Sequence, residues 1–108
     1  MIEQLSESVY RVGGGAWDGS ARALTPNGGN VYLVKLPAGG ILIDCGPIAA
    51  KSTIEDNIRQ AGLAPEDLTA CFLTHSHWDH SEAAERWRRD YGLDVYLSSV
   101  GAEYLRRK

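Results

Sequence analysis

Apolar residues change their period several times along this chain, and the changes divide it into elements. Residues 8–12, SVYRV, alternate apolar and polar, which predicts a strand. NVYLVKL (30–36) and ILIDCG (41–46) predict two more, joined through PAGG as a glycine-marked hairpin. The period then becomes helical. Ile54, Ile58 and Ala61 form an apolar stripe, Ser52 with Glu55 reads as a capping box, and Gly62 is placed to stop the helix. TACFLT (69–74) is a short apolar run with polar ends and predicts a buried strand. A second helix is predicted over EAAERWRRDYG (82–92), with Ser81 as its N-cap, Ala83, Trp87 and Tyr91 on one face, and Gly92 at its end. LDVYLSS (93–99) predicts the last strand, and VGAEYLRRK the opening turns of a further helix.

Strands interleaved with helices after an initial hairpin predict an α/β arrangement, with βαβ units on a mixed sheet. Residues 1–108 are expected to form a single domain, a length at which about two-thirds of the unfolded surface is buried. Residues 13–30, GGGAWDGSARALTPNGGN, make a long glycine-rich loop. Trp17 within it reads equally as a lid over a site or as an anchor for the loop.

Composition narrows the class. The chain is 44% hydrophobic and 23% charged, as expected of an ordinary soluble globular protein. Its longest largely apolar run, residues 41–50, is too short to span a bilayer and is broken by Asp44, Gly46 and Pro47. The opening residues carry early acids and no apolar signal region, so a cytoplasmic location without membrane association is expected. Cys45 and Cys71 lie in apolar strand-like surroundings and read as buried thiols. Cys71 is also four residues before the first histidine, although no zinc-finger spacing accompanies it. A net charge of −3 argues against a general nucleic-acid binder. Arg86, Arg88, Arg89, Arg106, Arg107 and Lys108 gather late in the chain and read as a solvated helix face and a frayed end.

Candidate chemistry sits in THSHWDH, residues 74–80, which hold all 3 histidines of the chain. His75 and His77 are two apart, so they point the same way if the strand geometry persists. Asp79 and His80 follow a turn, and the chain is expected to fold back and present them to the same volume. Imidazole nitrogen and carboxylate oxygen suit zinc at about 2.0–2.2 Å. They also suit iron or manganese. A histidine on a strand more commonly makes an ordinary core or surface hydrogen bond. Three of them with an aspartate in six positions, and none elsewhere, favour a metal centre.

H-x-H-x-D-H after an apolar strand resembles the metallo-β-lactamase superfamily, and NVYLVKLPAGGILIDCG resembles that family's strand, turn and strand ending in Asp-x-Gly. The resemblance runs from about Val9 to the end. It implies half of a four-layered αββα fold, a mixed sheet with helices on one face. It implies one or two ions, zinc first. His75 and His77 would serve one metal and Asp79 and His80 the other, with Asp79 also handling the proton of the attacking water. Asp44 would hold loops by hydrogen bonds rather than bind metal. The implied activity is hydrolysis of a small ester, thioester, lactone or lactam bond by metal-bound hydroxide.

Two departures matter. SEAA follows His80 where many members place a small-residue or Gly-Gly turn, and Ala83 and Ala84 still permit close packing. Trp78 stands where nuclease branches often carry glycine; its indole leaves less room for a polynucleotide, or simply packs between strand and helix. The remaining ligands of the family pattern would come from a second half that this sequence does not contain. The chain therefore reads as the N-terminal half, with one sheet face lacking cover. That face is expected to meet a complementary C-terminal half or a second copy. A truncated, non-catalytic metal-binding or assembly fragment is the alternative, and a ribonuclease-type member using the basic end is a third reading.

Overall fold

A computed structural model describes residues 2–14, 29–74 and 83–97. Six strands form one sheet in the order of the chain. They are β1 (Glu3–Gln4), β2 (Val9–Gly13), β3 (Val31–Leu36), β4 (Gly39–Ile43), β5 (Leu68–Phe72) and β6 (Asp94–Tyr96). The first four pair antiparallel. β4, β5 and β6 run parallel, because α1 (Lys51–Gln60) and α2 (Ala84–Tyr91) carry the chain back between them. The hairpin and both predicted βαβ units are therefore present. Strand β1 carried no sequence signal; only Glu3 and Gln4 pair, opposite Arg11 and Tyr10.

The helices cover one face of the sheet. Ile54 and Ile58 of α1 and Trp87 of α2 pack with Val12, Val31, Leu33, Leu42 and Cys71 into a single buried cluster. The predicted stripes on both helices thus become core. At the β2 bulge, between Arg11 and Gly13, the buried Asn57 donates from Nδ2 to the carbonyl of Val12 at 2.8 Å. A bulge leaves a backbone group without a ladder partner, and Asn57 satisfies it.

Helix α1 begins differently from the expectation. No capping box forms at Ser52 and Glu55. A 3-10 turn at Ile48–Ala50 runs straight into the helix, so Ala50 occupies the N-cap place and Ser52 is already helical. Glu55 instead accepts from Lys51 Nζ at 3.0 Å. Lys51 also meets Asp90 at 2.8 Å, its ammonium lying 5.0 Å from the ring centres of both Trp87 and Tyr91. The Tyr91 hydroxyl donates to Glu55. This cluster latches α2 to α1. Burial acts to lower the Lys51 pKa, but the hydrogen bonds to Asp90 and Glu55 outweigh it and hold the ammonium above its ordinary value. Helix α2 stops at Gly92, whose φ of 69° is left-handed and whose N–H returns to the Arg88 carbonyl.

Among the described residues no helix covers the opposite face. Cross-strand register lines up Tyr32, Ile43, Phe72 and Tyr96 in one row and Val34, Ile41 and Ala70 in the next. Phe72 is 41% exposed and Tyr96 50%, their rings stacked at 4.9 Å. Among the described residues no helix is long and apolar enough to cross a membrane.

Candidate metal centre

In sequence the motif follows β5, whose neighbours β4 and β6 run parallel to it, and open α/β sheets gather their ligands beyond the carboxyl ends of such strands. His75, His77, Asp79 and His80 themselves fall outside the described residues, as do Trp17, Trp78 and Ser81. The described residues contain no group of three or more metal-ligating side chains. What the structure does describe is the frame that receives the motif.

That frame consists of three consecutive residues, Asp44, Cys45 and Gly46. The ladders continue past the last strand residues: Asp44 N–H donates to the Phe72 carbonyl at 2.8 Å, and Leu73 N–H to that of Tyr96 at 2.9 Å. Asp44 then takes hold of Thr74, the residue before His75. Its Oδ1 accepts from the Thr74 N–H at 2.8 Å and its Oδ2 from the Thr74 hydroxyl at 2.7 Å. On the far side of the motif, Ala83 N–H donates to the Gly46 carbonyl at 3.1 Å. Thr74 and Ala83, the described residues on either side of 75–82, are therefore both tied to residues 44–46.

The turn is built against resistance. Asp44 has a φ of 64°, the left-handed region. An L-residue there costs about 1–2 kcal/mol, less for Asp than for most. Hydrogen bonds to a charged group return about 1.5–3 kcal/mol each, toward the lower end here because Thr74 is exposed. Two such bonds outweigh the strain. Gly46 follows with a φ of 73°, and an added Cβ would come within 3.3 Å of Ile54 Cδ1, so glycine answers both conformation and packing.

Cys45 and Cys71 lie behind this turn, both fully buried thiols. The Cys45 thiol is pushed well above its ordinary range, first by its hydrogen bond with Cys71, then by burial and the neighbouring Asp44 charge, while the Ala83 N–H pulls the other way. With its proton held this firmly, the Cys45 thiol is a poor nucleophile. Cys71 belongs to the buried core cluster.

Sequence reasoning singled out Asp44 as a holder of loops, and its two hydrogen bonds do that. It missed Thr74 as the partner and Gly46 with Ala83 as the second tie. The residue adjoining the first histidine was the available signal; its pairing with a residue thirty positions earlier had none.

Comparison with known proteins agrees with this frame. The family model described as the metallo-beta-lactamase superfamily matches residues 24–108. A Bacillus subtilis protein named "Probable metallo-hydrolase YflN" is 32% identical over 88 residues, covering 79% of this chain and 33% of that protein. Exodeoxyribonuclease WalJ of Streptococcus pneumoniae is 31% identical over 70 residues, covering 65% of this chain and 25% of its own length. Among solved structures, a metallo-β-lactamase of Cronobacter sakazakii superposes with a TM-score of 0.80 at 25% identity, covering 99% of this chain and 38% of that one. The chain thus spans between a quarter and two-fifths of the length of these relatives.

Proposed function

Because this chain belongs to the metallo-β-lactamase superfamily, we propose that it encodes the N-terminal part of a metal-dependent hydrolase acting on a small ester, thioester, lactone or lactam bond. The observation that carries the reading is the frame itself: the histidine motif leaves from Thr74 and returns at Ala83, both tied to residues 44–46 at the carboxyl ends of parallel strands.

The donor set suits the chemistry. Three neutral imidazoles and a carboxylate match zinc, with iron or manganese as substitutes. His75 and His77 would hold one ion, and Asp79 and His80 a second. A bound ion supplies Lewis acidity and brings the pKa of a water to about 7. Asp79 would be the residue to orient an attacking water and accept its proton. Asp44 and Thr74 fix where the motif begins.

The uncovered sheet face is the seat of the chain's partner, a complementary C-terminal half or a second copy. No nucleic acid enters this reading, because the net charge is −3. Purified chain is expected to retain zinc, iron or manganese, and His77→Ala to lose most of it. Metal-loaded chain is then assayed on generic esters, thioesters, lactones and β-lactams. Turnover above free metal that Asp79→Ala abolishes supports the hydrolase. A second reading is a metal-binding module without turnover. Full metal occupancy with no turnover on any of these substrates selects it. Metal content unchanged by His77→Ala removes both.

A further inference from the structure

We draw no further inference here: the strongest candidate, the open face of the sheet at the carboxyl ends of β5 and β6, where Phe72 and Tyr96 stack, carries nothing beyond the partner seat already described, because nothing in the structure shows what covers it.

Discussion

Leu33, Leu42 and Cys71 on one face of the sheet are fully buried, while Val34, Ile43 and Phe72, each one position further along the same strands, are half-buried or exposed. Residue type does not separate the two sets. What separates them is cover: α1 and α2 lie over the first set, and nothing among the described residues lies over the second. Runs such as ILI and CFL are apolar on both sides, the pattern of strands meant for burial on both faces. The lesson is that one-half of this sheet's hydrophobic pattern is already used and the other half is still available.

The largest expected effects break that comparison directly. Leu42→Ala, on the covered face, is expected to destabilise the chain by about 2–5 kcal/mol, and Trp87→Ala by about 3–5 kcal/mol, measured by urea unfolding. Ile43→Thr, its neighbour on the open face, is expected to cost less than about 1 kcal/mol, since a half-exposed side chain loses little burial. Equal losses at Leu42 and Ile43 would mean the open face is covered in solution. Light scattering after size exclusion sharpens the point. The native chain is expected to self-associate, and Phe72→Lys with Ile43→Lys to reduce that association; a compact monomer from the native chain would contradict the open face.

The latch gives a smaller effect. Lys51→Met keeps the apolar stem but loses both aromatic contacts and both carboxylates, and is expected to cost about 1–2 kcal/mol. Its pH dependence has a definite sign. Lys51, raised above its ordinary 10.5, contributes stability that is complete below that value and disappears as pH rises through the raised one. Asp90, lowered from its ordinary 3.8 chiefly by the Lys51 hydrogen bond, contributes stability that is complete above 3.8 and disappears as pH falls through the lowered value. The gap in melting temperature between native chain and Lys51→Met is therefore expected to be flat from about pH 4 to pH 10 and to narrow outside that window. A gap that varied across neutral pH would assign the latch to other groups.

Much of the fold was legible in local pattern. Ile54, Ile58, Ala83 and Trp87 announced their helix faces, and the hairpin at Pro37 and Ala38 announced its turn, because both signals are written in near neighbours. The start of α1 was not legible, since a 3-10 turn at Ile48–Ala50 runs into the helix and leaves Ser52 inside it rather than at its N-cap. Asn57 and Val12, 45 positions apart, met only because a bulge freed a carbonyl, which no local signal foretold. The candidate site divides the same way. Its candidate donors stand out in sequence as a cluster of residue types in THSHWDH, which falls outside the described residues, and Asp44 as part of Asp-x-Gly; the grip of Asp44 on Thr74 needed the sheet to bring the ends of β4 and β5 together.

The central claim is that the imidazoles and carboxylate of residues 75–80 bind one cation or a pair. X-ray absorption at the zinc edge of the loaded chain tests it most directly. The expected spectrum has only nitrogen and oxygen neighbours at about 2.0–2.2 Å with imidazole scattering beyond, and loses that imidazole signal in His75→Ala with His77→Ala. A sulfur shell at about 2.3 Å, or a spectrum unchanged by the two substitutions, would contradict the account.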